Sequence, residues 1–98
     1  MADTQLRAVL FHGLADHSRL AILGELERGE RRVSDLVATS GLTQSNVSKH
    51  LACLWECGLV ERERHGREIH YRVVAGIADL LTSADAVLAA TGERVRAC

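Results

Sequence analysis

Proline is absent from all 98 residues, and only three aromatic side chains occur, Phe11, Trp55 and Tyr71. Without proline nothing interrupts a helical hydrogen-bond ladder, which suits a mostly helical chain with short connections. With so few rings, the core has to be aliphatic. No stretch approaches the ~20 apolar residues of a membrane span. The segment from Met1 to Phe11 holds Asp3 and Arg7 and lacks the apolar run of a secretory signal. A cytoplasmic location with no membrane partner is therefore expected. In that compartment the three cysteines, Cys53, Cys57 and Cys98, read as reduced thiols, metal ligands or redox sensors, not as a disulfide framework.

An excess of positive charge is also missing. The net charge of −1 by itself argues against a nucleic-acid binder. The distribution is uneven, however: Arg62, Arg64, Arg67 and Arg72, with His65 and His70, face only Glu63 and Glu68 within one short stretch. That local cationic finger matters more for DNA than the overall sign.

The length corresponds to one domain, residues 1–98. A domain this small buries only about two-thirds of its unfolded surface, so leftover apolar area seeks a partner subunit. Leu6, Val9, Leu10, Gly13 and Leu14 recur at helical spacing behind Asp3 or Thr4 as cap. Asp16 caps a second helix carrying Leu20, Ile22, Leu23 and Leu26, which stops at Gly29. A short third helix, starting at Arg31-Arg32, holds Val33, Leu36 and Val37 and ends at Ser40-Gly41.

A fourth helix runs from Thr43 to Gly58, with Val47, Leu51 and Leu54 as its buried stripe. Two helices joined by Ser40-Gly41-Leu42-Thr43 match a helix-turn-helix. From Leu59 the period becomes alternating. Ile69, Tyr71 and Val73 face one side of a strand, and Glu68, His70 and Arg72 the other. His65-Gly66 supplies a tight turn, so residues 59–74 read as a β-hairpin wing. The expected fold is mainly α with a β-hairpin, a winged helix-turn-helix.

The last helix begins at Ile77, with Ile77, Leu80, Leu81, Ala84, Val87, Leu88 and Thr91 on one stripe. This stripe either packs on its own domain or forms a dimer interface with the first helix. The dimer, through Leu6, Val9, Leu10, Leu80, Leu81, Ala84, Val87 and Leu88, also disposes of the surplus apolar area. Residues 92–98 then form a polar tail ending in Cys98.

On a wheel of ~100° per residue, Ser45, Ser48, Lys49 and Ala52 oppose the buried stripe of the fourth helix. Gln44 and Asn46 offer bidentate amides to base edges, Ser45 and Ser48 reach bases or phosphates, and Lys49 serves a phosphate. The residues expected at DNA are Thr43, Gln44, Ser45, Asn46, Ser48, Lys49 and His50, with Arg62, Arg64 and Arg67 from the wing.

At these residues the chain resembles the ArsR/SmtB family of metal-responsive bacterial repressors. Leu14-Ala15-Asp16-His17-Ser18-Arg19-Leu20-Ala21-Ile22-Leu23 is similar to the family's second-helix signature, with His17 where proline is usual. Thr43-Gln44-Ser45-Asn46-Val47-Ser48-Lys49-His50-Leu51 is similar to its recognition helix. Gly58-Leu59-Val60 and Gly66-Arg67 through Tyr71-Arg72 are similar to its wing. The resemblance spans roughly residues 5–91. It implies a homodimer on a palindromic double-stranded operator, repressing when free of ligand and releasing DNA when an inducer binds.

Cys53 and Cys57 stand one turn apart on one face of the reading helix, on the flank that also holds Asn46 and His50. Two thiolates at this spacing can share an ion, or they can be two small buried hydrophobes. Cys98 in the tail favours the first reading, because a third thiol can swing onto the pair from either subunit. Three sulfurs suit soft ions, with Cd2+ or Pb2+ ahead of Hg2+ and Zn2+; whether His50 adds a fourth donor stays open, since the resemblance gives that position to the DNA-reading helix instead. The third helix has no Cys-x-Cys and the last has no histidine, so the other sites of the family are missing. What remains resembles the cadmium- and lead-sensing, CmtR-like branch. Three other readings stay open, one of them a helical dimerisation module with no DNA role; the other two concern the cysteines. One is the same repressor switched by cysteine oxidation; the other is a thiol enzyme or metal carrier, which would leave the wing unexplained.

Overall fold

The computed structural model describes residues 3–98. The chain runs α1 (Thr4–Leu14), α2 (His17–Glu27), β1 (Arg31–Arg32), α3 (Val33–Ser40), α4 (Gln44–Glu56), β2 (Val60–His65), β3 (Glu68–Val73) and α5 (Ile77–Arg96). Three helix starts follow from a short polar side chain placed just outside the first turn. The Asp3 carboxylate accepts from Gln5 N–H, Asp16 from Arg19 N–H, and the Thr43 hydroxyl from Asn46 N–H. Gly41, at φ 76°, turns the chain left-handed at the end of α3 and opens the connection to α4. Gly66, at φ 66°, does the same at the tip of the hairpin, so the turn residues are Gly66-Arg67.

The hairpin register pairs Val60 with Val73, Arg62 with Tyr71 and His65 with Glu68. A third strand was not expected. Arg31 and Arg32 are extended and pair antiparallel with Tyr71 and His70, giving a sheet of order β1-β3-β2. Two residues carry no periodicity, so only their partner on β3 makes them a strand. The third helix accordingly starts at Val33, and Arg32 is its cap position.

The core is aliphatic apart from Tyr71. Ile22, Leu23 and Leu26 of α2 meet Leu36 of α3 and Val47, Leu51 and Leu54 of α4, closed by Leu14, Leu59, Val60 and Ile77. Full burial of each large side chain is worth about 1.5–3 kcal/mol, so this cluster sets the angle between α3 and α4.

At the junction of β1 and α3, the Asp35 carboxylate accepts from Arg32 N–H (3.0 Å) and from its guanidinium (3.0 and 3.2 Å). The Arg32 side chain and backbone N–H hold Asp35 down to about 2. A carboxylate depressed in the folded state stabilises it above the unfolded value of 3.8, and that contribution fades as pH falls toward about 2. Asp35→Asn is therefore expected to lower Tm at neutral pH, with the gap to the natural protein closing between pH 4 and 2. A gap independent of pH in a thermal melt series would refute this.

The first turns of α5 return to the body, where Ile77 is buried and Leu80 and Leu81 are half-buried against the core. Beyond Leu81 nearly all of α5 faces solvent. The segment expected as a polar tail is helical as far as Arg96. A single glycine, Gly92, costs a helix only about 1 kcal/mol, and Arg94 and Arg96 in the last turn oppose the negative end of the helix dipole. A helix of twenty residues is ~30 Å long.

Of the residues assigned to a dimer face, Leu6, Val9, Ala84, Val87 and Leu88 are exposed, whereas Leu10, Leu80 and Leu81 pack partly into their own domain. Phe11, Leu20 and Val95 add to the exposed apolar set. Among the described residues no helix is long and apolar enough to cross a membrane.

Candidate DNA interface and thiol site

Helix α4 presents two unlike faces. Val47, Leu51 and Leu54 are buried, while Gln44, Ser45, Asn46, Ser48 and Lys49 are exposed. Ser40 accepts from Leu42 N–H (3.1 Å) and Thr43 from Asn46 N–H (3.2 Å), so the turn before α4 is held by its own hydroxyls. Thr43 thus acts first as a cap. At the start of α4 exposed amide, hydroxyl and ammonium groups stand together, a combination suited to phosphates and base edges.

His50 lies on the flank of α4 that also holds Cys53 and Cys57. It is half-buried, with Nδ1 4.0 Å from Asp16 Oδ2, and so looks toward the start of α2 instead of outward with Lys49. Its position one turn from Asn46 set that direction, but the packing of α2 against α4 decides what it meets.

The wing divides its cations by face. Arg62 shares the inner face with Tyr71, and its guanidinium carbon lies 3.7 Å from the centroid of the Trp55 ring on α4. This cation–π contact braces the wing against the reading helix, a partnership that no sequence period announces. Arg72 on the outer face is matched by Glu63 and Glu61 (3.2 and 3.1 Å), which raise its proton affinity, and Glu30 lies at 3.5 Å. The cationic finger therefore reduces to its tip. Arg64, with a contact to Gly66 O (3.4 Å), and Arg67 in the turn have no carboxylate partner among the described residues.

The Cys53 and Cys57 sulfurs are neighbours, Cys53 half-buried and Cys57 exposed at the C-cap of α4. Desolvation, and then the adjacent Cys53 thiol, push Cys57 up from its ordinary value. The sequence reading missed Arg19. Its Nη1 lies 3.4 Å from Cys53 Sγ, and its buried Nε has no hydrogen-bond partner among the described residues. Arg19 N–H in turn donates to Asp16 (2.9 Å) and holds that carboxylate below its usual range. The start of α2 thus touches the flank of α4 at two points, His50 and Cys53.

Cys98 is exposed at the end of α5 and does not join the pair within one chain. Among the described residues the three sulfurs form no cluster within ligating distance of one another. Cys57 also lines a shallow groove of about 220 Å³ with Leu6, Val9, Leu10 and Gly13 of α1, beside the exposed apolar face.

A capped two-helix unit with an outward polar reading face, flanked by a hairpin with a cationic tip, defines a winged helix-turn-helix DNA-binding regulator. The profile for the bacterial regulatory protein, arsR family, matches residues 16–62. The chain is 37% identical over 97 residues to a probable mercury resistance operon repressor of Streptomyces lividans, covering 98% of this chain and 76% of that protein. It is 47% identical over 64 residues to the transcriptional regulator CmtR of Mycobacterium tuberculosis, covering 65% of this chain and 54% of CmtR. The crystal structure of Mycobacterium tuberculosis Rv0081 superposes with a TM-score of 0.84 at 34% identity, over 96% of this chain and 99% of that one. The chain belongs to the arsR family of bacterial regulatory proteins and is a transcriptional regulator, not an enzyme.

Proposed function

We propose that the chain is a metal-responsive repressor. It binds operator DNA as a homodimer and releases it when a soft ion joins Cys53, Cys57 and the Cys98 of a second copy. The observation that carries this reading is the pair of adjacent thiols on the DNA-reading helix itself, with Arg19 of α2 on one of them. The donors fit such an ion. They are sulfurs with no carboxylate among them, which suits soft ions; Cd2+ or Pb2+ is proposed first, with Hg2+ and Zn2+ behind. The name of the Streptomyces lividans relative, a mercury resistance operon repressor, agrees with a thiophilic inducer.

The homodimer rests on the exposed apolar residues of α1 and α5, Leu6, Val9, Val87 and Leu88. A small monomer gains nothing by leaving them in water. Cys57 borders the α1 part of that surface, so a second copy seated there can bring its own Cys98 to the pair.

DNA contact is assigned to Gln44, Ser45, Asn46, Ser48 and Lys49 at the groove and to Arg64 and Arg67 at flanking phosphates. Arg62 takes part while stacked on Trp55, and Thr43 and His50 contribute mainly by holding α4 in place. Metal at the pair takes Cys53 away from Arg19 and ties the end of α4 to the partner's α5. That changes the tilt of α4 against α2 in both copies. Two half-sites must be met one helical turn apart, so a small tilt weakens both contacts together.

The test is fluorescence anisotropy of the reduced protein on the region upstream of its own gene, with and without each of the four ions. Cd2+ or Pb2+ is expected to weaken binding ~5- to 150-fold. Equal affinity of free and loaded protein defeats the proposal. In the same assay Lys49→Ala should weaken binding to all sequences alike and reduce the salt slope by about 1. A sequence-selective loss would instead make Lys49 a base reader.

A further inference from the structure

The outer face of the wing carries chemistry that DNA reading does not use. The strand register places Glu63 and His65 of β2, Glu68, His70 and Arg72 of β3, and Arg32 of β1 on the side opposite the buried Tyr71. His65 and His70 are diagonal neighbours there, with ring centroids 4.4 Å apart. Glu30, just before β1, reaches the same spot, its Oε2 lying 3.6 Å from His70 Nδ1. One ligand atom from each of Glu30, His65 and His70 lies within 4.8 Å of the other two, the one such cluster among the described residues.

We propose that Glu30, His65 and His70 form a second cation site, for a borderline divalent ion of the Zn2+ and Co2+ class. Two imidazoles and one carboxylate, with no sulfur, are the donors such ions take, with water completing the tetrahedron. Bonds of ~2.1 Å imply tetrahedral edges of about 3.4 Å. The Glu30–His70 separation of 3.6 Å is already near that value, and the exposed His65 has its ligand atom within 4.8 Å of both, so binding requires His65 to close the remaining gap. The surroundings favour a cation, since Glu30, Glu61 and Glu63 face the guanidinium of Arg72, while the neighbouring Arg32 is already matched by Asp35 and Glu68.

The outer partners are also in place. Glu30 Oε1 faces Arg72 Nη1 at 3.5 Å, which leaves Oε2 for the ion. Glu63 Oε1 lies 3.8 Å from His65 Nε2, beyond hydrogen-bond reach but close enough to add negative charge beside the site. An ion here ties both strands of the wing to the end of the α2–β1 turn. The wing angle then answers to a borderline metal, independently of the soft-ion thiols on α4.

The decisive experiment uses the full chain with Cys53→Ser, Cys57→Ser and Cys98→Ser, so that every thiol is gone and the outcome is independent of the proposed thiol sensor. Addition of Co2+ should produce visible ligand-field bands without sulfur charge transfer, and Zn2+ should abolish them. The imidazole proton resonances of His65 and His70 should move while those of His12 and His17 stay. In this background His70→Gln and Glu30→Gln should each weaken Co2+ binding at least ~10-fold, and His17→Gln should leave it unchanged. Absence of bands from the folded, thiol-free protein at millimolar Co2+ overturns the proposal. So do bands of equal affinity in the His70→Gln and Glu30→Gln variants.

Discussion

Leu51→Ala is expected to lower the unfolding free energy by about 2–5 kcal/mol, the range for emptying a sealed core position. Leu51 is completely buried, in the core cluster to which α2, α3 and the hairpin also contribute. A domain of this size has only about 5–15 kcal/mol in total, so the variant forfeits a large share of it. The same side chain fixes the depth of α4 in the body. Operator affinity should therefore fall by more than the loss of folded molecules accounts for. Urea unfolding followed by circular dichroism checks the first part, with Ala52→Ser on the exposed face as a control within ~0.5 kcal/mol. If Leu51→Ala unfolds as late as that control, the core as described does not position the reading helix.

Replacing both Cys53 and Cys57 by serine should leave operator binding by the metal-free protein within about twofold, while the ~5- to 150-fold response to Cd2+ or Pb2+ disappears. Binding survives because the pair sits on the flank of α4, apart from Gln44, Ser45 and Ser48. The response vanishes because two hydroxyls are poor ligands for a soft ion. Mixed dimers identify the third donor. A Cys98→Ser subunit paired with a Cys53→Ser, Cys57→Ser subunit regains one complete site if Cys98 reaches across the dimer, and none if it folds back on its own chain. Thiolate-to-metal absorbance reads the difference. Release of DNA by Cd2+ from the doubly substituted protein would remove the pair from the mechanism altogether.

Much of this molecule is written in short-range pattern. The cap at Asp16, the choice of Asp3 or Thr4 before the first helix, the stop at Gly41, the buried spacing of Val47, Leu51 and Leu54, and the alternation through Ile69, Tyr71 and Val73 all depend on residues within one turn or one pleat. Such signals survive in the linear order because helix and strand periods are local. The helices, the hairpin, the reading face and the adjacency of Cys53 and Cys57 were legible for that reason.

What the sequence left open depends on residues far apart in the chain. Arg31 and Arg32 become a strand only beside Tyr71 and His70, and Arg19 meets Cys53 from 34 residues away. Arg72 loses its place in the cationic finger to Glu30, Glu61 and Glu63, and His50 turns to Asp16. The polar end of the chain remains helical, so Cys98 stands at the tip of a long rod instead of on a free tail. By itself the sequence determined the winged helix-turn-helix and the thiol pair on its reading helix. Tertiary structure alone decided which charges are already spent on one another and what the thiols and imidazoles face, because pairing energy follows distance in space and not separation along the chain.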